Sequence, residues 1–265
     1  MEHSTPGIIL LIIAFIGPLF YYVRKVRNGK TYEMRMIRGI EEIENAIGRS
    51  AEEGRGIAFS TGMTDVSPLL FACLGILSFV AEKASKLRSK LIVPVRDPEA
   101  LALIDSTLQQ SYQKTGMSSR YDSSQVRYLS SEQLAYASGY QGIVHRENIG
   151  ATFLFGSFAA ESLILAEAGQ QVNAVQIAGT ISNEQIPFFI TSCDYTLLGE
   201  ELYAASAYLT KDPTQIASIR SQDIAKLALL ILIIVGVVLA SLESLNFDVK
   251  SSIIQSTIEK PWGES

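Results

Sequence analysis

A chain of 265 residues with a hydrophobic fraction of 48% has room for one or two domains, and its apolar content is high without being extreme. The formal net charge of −5 argues against a nucleic-acid binder, which would carry a basic surplus. Two cysteines, Cys73 and Cys193, stand outside any CxxC pair, which excludes the usual zinc and disulfide frameworks, and both read as reduced, buried small hydrophobes.

Residues 1–6 precede a charge-free stretch, Gly7 to Val23 (GIILLIIAFIGPLFYYV), that is about long enough to cross a bilayer. Tyr21 and Tyr22 close it with amphipathic rings of the kind that favour a membrane interface. A cleaved signal peptide is the competing reading. It lacks support, because no basic n-region precedes the stretch and no A-x-A-like site follows. Arg24, Lys25, Arg27, Lys30, Arg35 and Arg38 come next, against only Glu2 and His3 on the other side.

Over residues 24–54, Met34, Ile37, Ile40, Ile43 and Ile47 recur every three or four positions with Glu41, Glu42 and Glu44 between them. This spacing predicts an amphipathic juxtamembrane helix ending near Gly54. Its apolar face either packs on its own domain or forms a self-association stalk.

Residues 55–211 alternate short apolar runs with helical ones. Strands are expected at Ile57–Ser60, Leu91–Val95, Val126–Leu129, Ala151–Phe155, Val172–Ala178 and Pro187–Thr191. Helices are expected near 67–89, 98–115, 131–141, 158–169 and 195–209. Asp97-Pro98-Glu99 is a strong helix start and Ser131-Glu132 a weaker one. The Ser-rich stretch Ser118–Ser124 reads as an exposed loop. The apolar run Pro68–Ala81 has the length of a buried core helix, with a third membrane segment as the alternative. The pattern predicts an α/β fold: a Rossmann-like open, mostly parallel sheet with helices on both faces, flanked by two transmembrane helices.

Residues 212–242 open with Asp212-Pro213, a cap followed by a first-turn proline, and run into the second apolar span, Leu227–Leu242. Arg220 and Lys226 precede that span, and Glu243 and Asp248 follow it. Basic residues thus flank the inner side of both spans. By the positive-inside rule the expected location is the cell membrane, with the central domain cytoplasmic and both termini outside, including the tail 243–265.

In open α/β sheets ligands bind beyond the carboxyl ends of the strands. Small and polar residues collect there, and Thr61, Gly62, Asp65, Gly156, Ser157, Gly179, Thr180 and Glu184 are the candidate ligand-binding set. Such residues also serve ordinary turns. No segment matches GxGxxG or a GxxxxGK[ST] phosphate loop, and no catalytic, metal or cofactor motif is present. His145 reads as a loop or packing residue. Glu161 and Glu167, six apart on one expected helix, share no face well, and Glu200 and Glu201 decorate a helix surface.

With GIAFSTGMTD after a basic juxtamembrane helix, FLFGSFAAESLILAEAG in mid-chain and a closing apolar span, the chain resembles a prokaryotic membrane-protein family known only as a domain of unknown function. The resemblance covers most of residues 30–243, implies the membrane topology, and carries over no functional residues. The expected function is a membrane-anchored structural or assembly protein. Its cytoplasmic domain would oligomerise or dock onto a larger membrane complex, with the lipid bilayer, a homo-oligomer or a membrane-protein complex as partners and no nucleic acid. The alternative is a membrane-tethered sensor or binding domain for a small nucleotide-like ligand at the strand ends.

Overall fold

In the computed structural model, residues 17, 18, 20–25, 38–210 and 213–244 are described. The chain divides into two units, Met34–Lys211 and the two terminal segments Met1–Glu33 and Asp212–Ser265.

The first unit is an α/β domain with element order α1 (Arg38–Glu52), β1 (Gly56–Gly62), α2 (Pro68–Leu87), β2 (Leu91–Val95), α3 (Pro98–Lys114), β3 (Val126–Tyr128), α4 (Gln133–Arg146), β4 (Ile149–Ser157), α5 (Glu161–Gln171), β5 (Val175–Thr180), α6 (Ile186–Ser192), β6 (Tyr195–Leu198) and α7 (Glu200–Thr210). The strands form one six-stranded sheet in the order β3-β2-β1-β4-β5-β6, and every pairing is parallel. This is a Rossmann-like α/β fold, as the strand–helix alternation predicts.

Side chains alternate across β1 and so divide the core. Ile57 and Phe59 join Val93, Phe153, Phe155 and Ile177 under α1, α2, α3 and α7. Ala58 joins Ile92, Leu154 and Ala178 under α4, α5 and α6. The central strands are buried on both faces, which explains why they read as unbroken apolar runs. Ile40, Ile43 and Ile47 of α1 are buried in the first of these clusters, so that stretch of the amphipathic helix packs on its own domain. Met34 and Ile37 lie outside the described residues.

Helix starts follow capping chemistry. Asp97 accepts a hydrogen bond from the Glu99 amide at 3.0 Å, with Pro98 in the first turn of α3. Ser118–Ser124 is exposed apart from the half-buried Tyr121, and the short 3-10 turns Ser118–Arg120 and Ser123–Gln125 lie along it.

The sixth strand lies elsewhere than its apolar pattern suggests. Pro187–Thr191, expected as a strand, belongs to α6, and the strand is Tyr195–Leu198, at the front of the stretch expected to be helical. Pro187 sits in the first turn of α6, where its missing N–H costs nothing, whereas a paired strand would need that donor. Gly199, at φ +55, then turns the chain from β6 into α7. Similarly, β5 begins at Val175 rather than Val172, because Asn173 at φ +52 ends α5.

Among the described residues, two helices are long and apolar enough to cross a membrane. One is α2, at 20 residues and mean hydropathy 1.5, but 61% of its apolar window is buried inside the domain. It is a core helix. The other is Thr214–Ser241, at 28 residues and mean hydropathy 2.8, with none of that window buried. It forms most of α8 (Pro213–Ser244), the continuous helix expected from Asp212-Pro213. Of the expected first span, residues 17, 18 and 20–23 are described, all helical, and the rest lies outside the described residues, as does the tail from residue 245. The Tyr21 and Tyr22 rings meet edge-on at 5.3 Å, with the Lys25 Nζ 5.1 Å from the Tyr21 ring centroid.

Candidate functional site

Because all strands run one way, their carboxyl ends share one edge. The strand order reverses between β1 and β4, and in open sheets of this kind a ligand sits at that reversal. Register brings part of the expected set together there. Gly62 pairs with Ser157 across β1/β4, and Gly156 with Thr180 and Phe155 with Gly179 across β4/β5. Thr61 and Thr180 are buried.

Two members fall outside this cluster. Asp65 is exposed and pairs with Arg96 of the β2 end at 2.7 Å. Glu184 is exposed in the turn before α6, while its neighbour Gln185 points inward and accepts a hydrogen bond from the Ser162 hydroxyl at 2.6 Å.

At the reversal the two loops are stitched to each other. The Met63 amide donates to the Ser157 carbonyl at 2.8 Å. The Thr64 hydroxyl accepts from the Ser157 amide at 2.8 Å and donates to the Thr61 carbonyl at 2.5 Å. Gly62, at φ +58, faces the Phe158 ring and the Ser157 carbonyl, and a Cβ there would stand 2.5 Å from each. Gly156, at φ +152, abuts the Thr61 carbonyl and the Thr64 hydroxyl. These glycines let the ends of β1 and β4 approach each other closely. Thr64 and Phe158, beside these glycines, are both buried.

Beside this seam, on the face covered by α4 and α5, lies a polar layer that local sequence reading missed. The Tyr136 hydroxyl lies 2.8 Å from the Ser60 hydroxyl and donates to the Pro94 carbonyl at 3.2 Å. Burial pushes the Tyr136 phenol well above its ordinary range, so it is a fixed hydrogen-bonding group rather than a base. Glu161, fully buried, accepts from the Gln133 amide at 2.5 Å and from the Ala159 backbone amide at 3.0 Å, which ties the starts of α4 and α5 together. The sequence signal for Tyr136 is its four-residue spacing from Tyr140 on the inner face of α4. None marks Glu161 apart from Glu167, which is exposed and accepts from Gln171 at 3.1 Å.

Elsewhere, reactive groups stand apart. His145 is exposed and contacts Gln171 at 3.0 Å. Cys73 is buried and Cys193 partly so, and burial pushes the Cys193 thiol up to about 12. Glu200 and Glu201 are exposed on α7, and Glu201 accepts from the Leu198 amide at 3.1 Å. Among the described residues, no three His, Cys, Asp or Glu side chains gather as a metal site. A shallow groove of about 280 Å³ opens at the amino ends of β5 and β6 beside α1. Its polar groups are engaged within the protein: Asn45 donates to Glu42 at 3.3 Å, Arg49 pairs with Glu53 at 3.3 Å, and Asp194 accepts from the Gln176 amide at 2.8 Å.

Around the carboxyl edge, apolar side chains face outward instead of in. Val66 and Phe71 follow β1, Leu134 and Leu163 open α4 and α5, Ile181 follows β5, and Phe188 lies on α6. Their exposures run from 40% at Ile181 to 64% at Leu134. The model of a protein family described as Domain of unknown function (DUF6754) matches residues 2–251. No curated protein and no solved structure matches the chain.

Proposed function

The chain belongs to this family, DUF6754, and from that premise we propose that it is a membrane-anchored assembly protein whose α/β domain oligomerises or docks onto a larger membrane complex. The observation that carries the reading is the set of exposed apolar side chains along the carboxyl edge of the sheet, beside a reversal point whose two loops are hydrogen-bonded to each other. An edge of this kind suits protein contact better than a small ligand, because outward Leu134, Leu163 and Phe188 gain by being covered.

The anchor in this reading is the apolar helix Thr214–Ser241 together with the first apolar stretch. Arg220 and Lys226 precede the former and Arg24 to Arg38 follow the latter in sequence, which supports a cytoplasmic domain with both termini outside. Gentle detergent extraction followed by mass measurement tests the role. The expected particle exceeds one chain, and Leu134→Glu with Leu163→Glu reduces it. A clean monomer from the native sequence, without a co-purifying protein, would overturn the reading.

The alternative, a nucleotide-like ligand at the strand ends, requires the Thr64–Ser157 seam to part. Stabilisation of the extracted chain by a nucleotide would favour it, since a ligand of the native state must raise its stability.

A further inference from the structure

The opposite edge of the sheet, where α2 ends and β2 begins, carries the segment Lys86-Leu87-Arg88-Ser89-Lys90. Here Lys86, Arg88 and Lys90 are exposed and Leu87, between two of them, is 48% exposed. Hydrogen bonds and ion pairs join this turn to its neighbours. The Ser85 hydroxyl meets that of Thr115 at 3.0 Å, which brings the end of α3 alongside, and Lys90 shares Glu147 with Arg127 at 2.6 and 2.8 Å, which brings in α4 and β3. Arg146, in the last turn of α4, and Arg120, six residues beyond the end of α3, are also exposed, and in this parallel topology both helices end at the amino edge of the sheet. Glu147 and Glu82 are engaged by Lys90, Arg127 and Lys114, the exposed Asp122 carboxyl also feels Arg127 and Lys90, and among the described residues no ion pair is formed by Lys86, Arg88, Arg120 or Arg146. The result is a basic platform in a chain whose net charge is −5.

Basic residues in last helical turns are ordinary, since they complement the helix dipole, and Lys86 and Arg146 can be read so. Arg88 cannot. It is the left-handed residue after α2, at φ +60, with its amide bonded back to Ala84 and Ser85. The corresponding positions after α1, α3, α4 and α5 are Gly54, Gly116, Asn148 and Asn173, the residue types that adopt positive φ at least cost. Among the described residues Arg88 is the one positive-φ residue that is neither Gly nor Asn. Its strained backbone projects a cation beside an exposed leucine.

We infer that this platform is a contact site for anionic phospholipid headgroups, with Lys86, Arg88, Lys90, Arg120 and Arg146 meeting phosphate and carboxylate groups and Leu87 entering the interfacial layer. An outward leucine between cations suits a bilayer surface, where apolar and anionic matter lie at adjoining depths. No exposed aromatic residue lies on the turn to stack on a nucleic-acid base. The inference rests on the reading of the chain as membrane-anchored, because the tether is what keeps the platform near a bilayer.

The test uses the full chain in lipid nanodiscs of phosphatidylcholine, alone or doped with phosphatidylserine, with amide hydrogen exchange followed over residues 83–91. Phosphatidylserine is expected to slow exchange there, high salt to abolish the slowing, and each cation removed by Lys86→Gln, Arg120→Gln or Arg146→Gln to weaken it about five-fold. Arg88→Gly separates contact from fold. It relieves the positive-φ strain, so the thermal midpoint rises by about 3 °C, while the phosphatidylserine effect falls. Equal exchange in both kinds of disc, or a fall in midpoint with Arg88→Gly, overturns the inference alone. So does slowing by polyuridylate or an acidic peptide on phosphatidylcholine discs that matches the effect of phosphatidylserine. A chain that does not co-float with the discs overturns the anchored reading, and this inference with it.

Discussion

Gly156 shows how closely the two central loops approach each other. With φ at +152 and its α-carbon set against the Thr61 carbonyl and the Thr64 hydroxyl, it has no space for a methyl group. Gly156→Ala should therefore destabilise the extracted chain by about 3 kcal/mol in denaturant unfolding, since backbone strain and steric conflict add. A change well under 1 kcal/mol, against typical point-mutant costs of about that size, would mean the seam yields easily and is no barrier to a ligand. Glu147 makes a residue-scale prediction in pH. Hydrogen bonds from Lys90, then Arg127, hold its carboxyl below the ordinary value of 4.5. A depressed folded value gives stability that is fully present above about 4.5 and is lost as pH falls below it. Glu147→Gln should thus remove about 1 kcal/mol near neutrality and flatten the acid limb of a stability–pH curve. An unchanged limb would reject the assignment.

Between elements, Arg55 joins the starts of β1 and β4 to the end of α5. Its Nη2 donates to the Ile149 and Val172 carbonyls at 2.5 and 2.6 Å, and its Nη1 to the Asn173 carbonyl at 3.3 Å. A planar fork can serve these carbonyls together, and an ammonium cannot. Arg55→Lys should therefore cost about 1 kcal/mol, read as a lowered denaturation midpoint, because it leaves partly buried carbonyls unpaired. Retention of the native midpoint would show that water replaces the guanidinium. Local pattern located most elements, since β1, β2 and β4 are buried runs with turn residues at their ends. It failed at α6 and β6, where two short apolar segments sit side by side and periodicity cannot tell one turn of helix from a strand. Only the proline favours helix for the first. The strand-end cluster of Thr61, Gly62, Gly156, Ser157 and Thr180 was legible because it follows from where strands stop. The polar layer was not. Ser60 and Tyr136 are 76 positions apart and Gln133 and Glu161 are 28 apart, so their pairing exists only after the sheet has formed.

At the scale of the whole molecule, composition separates the exposed Thr214–Ser241 from the buried α2 only by degree, with mean hydropathies of 2.8 and 1.5. What distinguishes them in the folded chain is cover. α2 is enclosed by β1, α1, α3 and α7, and its cluster includes Phe153 and Phe155 of β4. In order of synthesis this cover arrives late. β1 and α2 leave the ribosome well before β4, yet Ile57 must pair with Ala151 to finish the middle of the sheet. A nascent chain halted before β4 presents a 20-residue apolar helix. Until its cover arrives, that apolar surface is open to chaperones and to aggregation. Cover for α2 is therefore complete only once the second half of the domain has emerged.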